Sequence, residues 1–248
     1  MRRYGLIGYP LSHSFSQRYF TEKFGREGIS GCSYSNFPLA AIDELPGVLA
    51  DPELRGLNVT IPYKEQVLSF LDARSPVVEA IGACNCIDIR DGRRTGHNTD
   101  VVGFEQSLLP LLGSHHRRAL ILGTGGAAKA VEYVLGKLGI AYRFVTRRPR
   151  AGSEDVGYGD VDAAMLGEYT LVVNTTPLGM YPKVDEYPAL PYEAAGARHY
   201  FFDLVYNPAR TLFLQQAEAQ GAVVENGHAM LILQAEESWR IWTAADGQ

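Results

Sequence analysis

Short apolar runs alternate with longer amphipathic stretches from one end of the chain to the other. That alternation predicts α/β layers built on parallel strands. YGLIG (4–8), CSYSNF (32–37) and GLNVT (56–60) read as strands, with helix-like stretches near 15–27, 40–50 and 63–72. CNCIDIRDGRRTGH (84–97) breaks the rhythm, because two strand-like pieces flank DGRR and predict a hairpin or edge feature. A helix from about Val101 to Leu112 follows, closed by the loop GSHHRR. A second series then begins at RALILG (118–123), with a helix from about Gly126 to Leu138 and strands YRFVT (142–146), TLVVN (170–174) and HYFFDLV (199–205). It ends with a helix from about Ala209 to Ala219, stopped at Gly221, and the strand AVVE (222–225). AMLILQAEESWRIW (229–242) carries apolar residues at roughly helical spacing, and periodicity alone does not say where it packs. The pattern therefore predicts two α/β series with a seam near residue 101, and Pro/Gly-rich loops at 149–160 and 177–193.

Composition narrows the partners. The chain has 248 residues, of which 46% are apolar, enough to cover one large core or two small ones. A net charge of −5 argues against nucleic acid or an anionic membrane as the main partner, since both demand concentrated Lys and Arg. The N-terminal apolar stretch is cut by Gly8 and Pro10, too short for a secretory leader, and no run approaches transmembrane length. Cys32, Cys84 and Cys86 are odd in number and form no CxxC pair, so neither a disulfide framework nor a zinc site is expected and the cytoplasm is the default. Only RRPR (147–150) is locally basic.

RALILGTGGAAKAVEYVL is an apolar strand, a glycine turn and a helix. Gly123, Gly125 and Ala128 occupy the positions of G-x-G-x-x-G/A, with Gly126 added. Small residues there let the backbone approach a pyrophosphate, whose charge suits the free N–H groups and dipole of the next helix. A turn serving only strand–helix packing is the competing reading; the strand and helix on either side favour dinucleotide binding. At the end of the next strand, where an acid would bind the ribose 2′-OH of NAD, Thr146, Arg147 and Arg148 stand instead. Guanidinium groups match a phosphate dianion, so NADP(H) is expected over NAD(H), with a solvated basic loop as the alternative.

The polar residues of the first half gather at strand ends, where ligands collect in open parallel sheets. SHSFS follows the first strand, Lys64 the third, Asn85 opens the hairpin and NTD (98–100) ends it. Singly each has a local explanation: Ser14 or Ser16 as helix caps, Asn58 and Thr60 satisfying loop backbone, Lys64 solvated. Together, GYPLSHSFS, NVTIPYKE, GACNCI, GHNTDVVGF, LGTGGAAKAV, VVNTTPLGM, DLVYNP and NGHAMLILQA stand in an order and spacing that resembles the shikimate dehydrogenase family over almost the whole chain.

The resemblance implies two α/β domains. Residues 1–101 plus 228–248 would form a substrate-binding domain to which the C-terminal helix returns, and residues 102–227 a Rossmann-like NADP-binding domain. It implies NADPH-dependent, reversible reduction of 3-dehydroshikimate to shikimate in aromatic amino acid biosynthesis, by a cytoplasmic monomer or homodimer. Ser14, Ser16 and Tyr206 would bind the substrate carboxylate, Thr60, Asn85 and Gln234 the ring hydroxyls, and Lys64 with Asp100 would form the catalytic pair. Gly123, Gly125, Gly126, Ala127, Thr146, Arg147, Arg148, Thr175, Leu204 and Gly227 would surround the cofactor, and no metal is implied.

The chain departs from the family pattern at Gln17, His97, Val101 and His228-Ala229-Met230. These departures bear on rate and substrate preference more than on reaction type. His97 reads as a loop histidine, His13 as structural, and His115 and His116 as a loop pair without a ligand set. Two rival functions share the scaffold, quinate or dual quinate/shikimate oxidation and a non-catalytic ligand sensor. Ser16, where quinate-preferring relatives often carry Thr, and the arginines after VT lean toward shikimate and NADP. Retention of Lys64 and Asp100 counts against a sensor.

Overall fold

Six strands of the first half are joined by helices and turns whose ends are marked in the sequence. They are β1 (Arg2–Gly8), α1 (Phe15–Arg26), β2 (Cys32–Pro38), α2 (Leu45–Leu49), β3 (Leu54–Val59), β4 (Ala73–Arg74), α3 (Pro76–Ile81), β5 (Cys86–Arg90) and β6 (Arg93–His97). The structure, a computed structural model, describes residues 1–11 and 14–244; His13 and residues 245–248 lie outside the described residues. The sheet runs β2-β1-β3-β5-β6-β4. β1 is parallel to β2 and β3, whereas β5 is antiparallel to both β3 and β6. DGRR is thus a hairpin turn: Asp91 and Gly92 take φ of 51° and 77°, the pair of positive φ values a tight turn between twisted strands requires.

Two stretches expected as helices are shorter than their apolar spacing suggests. Residues 40–50 form a 3₁₀ turn, Ile42–Glu44, leading into five-residue α2, and residues 63–72 hold only a 3₁₀ turn, Gln66–Phe70. At that point tertiary contacts take over: Asp72 accepts from the Arg94 backbone N–H and guanidinium at 2.7–2.8 Å, which draws the chain into β4. Helix α3 goes beyond the expected elements: Ser75 caps it by accepting from Val78 N–H at 3.3 Å, Pro76 opens it and left-handed Gly82 closes it.

The second half contributes α4 (Asp100–Leu108), β7 (Arg118–Leu122), α5 (Gly126–Lys137), β8 (Ala141–Thr146), β9 (Val156–Gly157), α6 (Ala163–Glu168), β10 (Leu171–Asn174), β11 (Tyr200–Asp203), α7 (Leu212–Ala219), β12 (Val223–Asn226) and α8 (His228–Thr243). Its six strands are all parallel, in the order β12-β11-β10-β7-β8-β9. A sheet covered on both faces needs continuous apolar strands. Ala119–Leu122, Leu171–Asn174 and Tyr200–Asp203 are all fully buried. The helix expected from Ala209 begins at Leu212, because the Thr211 side chain caps it. The short β9 and α6 go beyond the expected elements, and Asp162 caps α6 by accepting from Met165 N–H at 2.8 Å.

The chain falls into two units, Met1–Thr99 with Ala235–Gln248, and Asp100–Gln234. In the first unit the end of α8 packs on the sheet. Trp242 stacks on Tyr4 at 4.9 Å, donates from Nε1 to the Ile87 carbonyl at 2.9 Å, and lies so close to Gly56 that a Cβ there would collide with its indole. Lys23, only 4% exposed, pairs with Glu236 at 2.8 Å and with Glu27 at 3.0 Å. A buried ammonium is tolerated because two carboxylates neutralise it. Among the described residues no helix is long and apolar enough to cross a membrane.

Candidate active site

In the first unit, topology brings the expected substrate residues to one end of the sheet. β1 and β3 run parallel, so Gly8 and Val59 end together, with Thr60 N–H donating to the Ile7 carbonyl at 2.9 Å. β5 runs the other way, so its first residues stand beside the last of β3: Val59 N–H donates to the Asn85 carbonyl at 2.8 Å. β6 reverses again, and Asn85 N–H donates to the His97 carbonyl at 3.1 Å. Ser14, Ser16, Thr60, Lys64, Asn85 and the start of NTD therefore share one sheet end.

Lys64 sits in a turn held on both sides. Its carbonyl accepts from Cys84 N–H at 2.7 Å, and the preceding Tyr63, 3% exposed, donates its hydroxyl to the Leu39 carbonyl. The half-buried lysine thus rises from a fixed backbone. Ser14 occupies the N-cap position of α1 yet makes no side-chain cap; its hydroxyl is buried and has no partner among the described residues. An orphaned buried hydroxyl suits a carboxylate acceptor better than a capping role. Ser16, inside the first turn, interacts with the Tyr34 phenol.

His97 is the last residue of β6, half-buried, rather than a loop residue. Burial, partly opposed by nearby Asp88, holds its imidazole below the usual histidine range. Asn58 does not serve loop backbone alone. It lies 4% exposed in β3, accepts from Tyr34 Oη at 2.8 Å and donates to Ser238 Oγ at 2.9 Å. Tyr34 and Ser238 carry no signal in the sequence beyond a polar Asn58 inside an apolar strand, and Thr99 stands out there only as part of NTD.

The second unit carries the glycine turn. The strand order reverses between β7 and β10, the switch point at which doubly wound sheets bind ligands. Gly123 follows β7 with φ of 98°, and a Cβ on it would lie 3.0 Å from Thr175 Oγ1. Only glycine fits both that backbone and that approach. Gly125 is the N-cap of α5 and Gly126 its first residue, with Ala127 following, so the open N–H groups of the twelve-residue α5 face the turn. Thr175 donates to the Leu122 carbonyl at 2.6 Å. Gly227 meets Leu204 so closely that a Cβ would collide with the Leu204 carbonyl.

At the end of β8 the basic run divides. Arg150 makes a bidentate pair with Asp155, at 2.7 and 3.0 Å. Arg147 and Arg148 are exposed and carry no ion pair among the described residues, while Thr146 Oγ1 accepts from Arg148 N–H at 3.4 Å. Asp100 begins α4 and is 8% exposed, as is Gln234. A Cβ on Gly103, one turn after Asp100, would lie 2.6 Å from the Met230 carbonyl and 3.2 Å from Gln234, so α4 and the start of α8 pack directly. Tyr206 is half-buried in the turn after β11.

A buried carboxylate fixes that turn. Asp203 accepts from Asn174 Nδ2 at 2.9 Å, Val205 N–H at 3.0 Å and Thr211 Oγ1 at 2.5 Å. Burial pushes its pKa up to about 6, against the lowering effect of those three donors. Asn174 in turn accepts from Thr176, so the loops carrying Thr175 and Leu204 are tied through one pair of side chains.

The parallel sheet, its reversal and the glycine turn define a Rossmann-type dinucleotide-binding protein with a second α/β unit. The family model for the shikimate dehydrogenase substrate binding domain matches residues 6–87. A shikimate dehydrogenase (NADP(+)) of Oleidesulfovibrio alaskensis is 39% identical over 255 residues, spanning 96% of this chain and 88% of the relative. Shikimate 5-dehydrogenase from Thermus thermophilus in complex with NADP(H) and shikimate superposes with a TM-score of 0.84 at 32% identity, covering 98% of this chain and 94% of that one. Quinate dehydrogenase from Corynebacterium glutamicum in complex with NAD gives 0.87 at 27% identity, with 98% and 94% covered. The chain belongs to the shikimate dehydrogenase family.

Proposed function

We propose that this protein catalyses the reversible NADPH-dependent reduction of 3-dehydroshikimate to shikimate, a step of aromatic amino acid biosynthesis. Residues 1–101 with 228–248 serve the substrate, and residues 102–227 the cofactor. The observation that carries the reading is the gathering of Ser14, Ser16, Thr60, Lys64 and Asn85 at one end of a mixed sheet, in a chain that also builds a dinucleotide turn.

The cofactor half suits NADP(H). Gly123, Gly125, Gly126 and Ala127 leave room and N–H groups for a pyrophosphate, Thr175, Leu204 and Gly227 border the nucleotide and nicotinamide, and Thr146 with Arg147 and Arg148 takes the 2′-phosphate. When bound, NADPH supplies the hydride. Ser14, Ser16 and Tyr206 hold the substrate carboxylate, and Thr60, Asn85 and Gln234 the ring hydroxyls. As the C3 carbonyl carbon is reduced, negative charge grows on its oxygen. The Lys64 ammonium stabilises that charge and protonates the oxygen. Asp100 is the catalytic partner of Lys64 and accepts a hydrogen bond from a substrate hydroxyl.

The test is reduced-nicotinamide absorbance with shikimate and quinate, each against NADP and NAD. Turnover with shikimate and NADP above the other three mixtures is expected. Faster quinate oxidation would move the protein to the rival reading that the Corynebacterium glutamicum likeness keeps in view. No turnover in any mixture would overturn the enzymatic reading in favour of a ligand sensor. The same reading takes the enzyme as a cytoplasmic monomer or homodimer, in keeping with three free cysteines.

A further inference from the structure

A chain of buried polar side chains runs through the first unit and touches two of the residues assigned to the substrate. Thr99, 1% exposed, reads both ends of the Asn85 carboxamide: its N–H donates to Asn85 Oδ1 at 2.6 Å, and its hydroxyl accepts from Asn85 Nδ2 at 3.0 Å. That pair of bonds decides which way the amide faces. The Thr99 hydroxyl lies 3.2 Å from Ser238 Oγ, and Ser238 is fully buried in α8. Ser238 Oγ also accepts from Asn58 Nδ2 at 2.9 Å, and Asn58 Oδ1 accepts from Tyr34 Oη at 2.8 Å. Tyr34, fully enclosed, interacts at its phenol with Ser16. Six side chains from six separate elements and loops are thereby linked, and Ser238 stands at the middle.

No local motif accounts for Ser238. It does not cap a helix, and its neighbours on the same face, Ala235, Trp239 and Trp242, are apolar core. An alanine would fill the space, yet would leave Asn58 Nδ2 without that acceptor and Thr99 without its tether. Thr99 holds the Asn85 carboxamide, whereas Asn58 reaches only the Asn85 backbone carbonyl, at 3.4 Å.

We propose that Ser238 is a positioning residue for the substrate: by holding Thr99 it fixes the Asn85 carboxamide in the orientation that meets a ring hydroxyl. The inference rests on the reading of Asn85 as a substrate contact. Ser238 is fully buried, so its loss acts on substrate binding through Thr99.

Steady-state kinetics of the full chain tests this with Ser238→Ala, Thr99→Val and the double variant. Ser238→Ala is expected to raise KM for shikimate by about 5- to 10-fold, with kcat and KM for NADP nearly unchanged. The double variant should be no worse than Thr99→Val alone, since both substitutions cut one path. Ser238→Thr, which keeps the oxygen, should restore most of the lost affinity. An unchanged KM for shikimate in an active Ser238→Ala enzyme overturns the proposal, as does a parallel rise in both KM values or full additivity with Thr99→Val. If Ser238→Ala does not fold, Thr99→Val must show the same selective KM rise, and its absence is equally fatal. A wild-type protein that neither turns over nor binds shikimate overturns the functional reading, and this inference with it; an active wild type with an unaffected variant overturns this inference alone.

Discussion

The ends of the two sheets, to which the proposed function assigns the two ligands, are built from different materials. The all-parallel sheet of the second unit uses backbone: a left-handed glycine, a helix N-terminus and close approaches at Gly123 and Gly227. The mixed sheet of the first unit uses side chains, delivered at the ends of β1, β3 and the β5–β6 hairpin and braced by buried hydrogen bonds. Nucleotide phosphates are alike in every dinucleotide, so a local backbone nest suffices. A ring distinguished by the placement of its hydroxyls needs donors and acceptors at set points, and those come from tertiary assembly.

Removing Lys64 gives the sharpest break between the halves. Lys64→Ala is expected to lower kcat by about two to four decades, with a much smaller change in KM for NADP. Near-normal kcat would take Lys64 out of the chemistry.

Trp242 tests whether the side-chain half depends on the end of α8. Trp242→Ala should cost about 3–5 kcal/mol in chemical denaturation, since it removes the ring stacked on Tyr4 and the bond to Ile87. A loss below about 1 kcal/mol would show that the first unit repacks around the gap.

Asp203 tests the bracing of the nucleotide half. Its folded pKa, about 6, stands above the ordinary carboxylate value. Between the two values the folded state binds the extra proton, so this residue's contribution is full below about pH 4 and falls as pH rises through about 6. Relative to Asp203→Asn, the wild type should lose up to roughly 3 kcal/mol of stability across that window. The opposite slope in paired melts would mean that the three donors outweigh burial.

The smallest effect is expected at the cofactor's edge. Arg147→Ala with Arg148→Ala should raise KM for NADP by about 10- to 100-fold and leave KM for NAD alone. Equal changes for both cofactors would make the two arginines a general surface charge. Arg150→Ala should not share the effect, because Asp155 already holds that guanidinium.

Much of the architecture was legible because its signals are local. The strand–glycine–helix run at 118–138 declares itself within one stretch, and the alternating apolar runs predicted the strands of both sheets, apart from two-residue β4 and β9, and the hairpin at DGRR. Helix lengths at 40–50 and 63–72 were overestimated because apolar spacing says nothing of Asp72, whose Arg94 partner lies 22 residues on. Arg147 and Arg150 look alike in RRPR, and only the position of Asp155 separates them.

By itself, the sequence determined the α/β alternation, the glycine turn and the polar residues at strand ends, since each is a matter of neighbours along the chain. Tertiary structure alone decided which of those polar groups are held and by what. Ser238, Thr99, Asn58 and Tyr34 are scattered over more than 200 positions, and the reversal of β5 and the return of α8 to the first unit bring them within hydrogen-bond reach. A hydrogen bond depends on distance in space, which spacing along a chain does not encode.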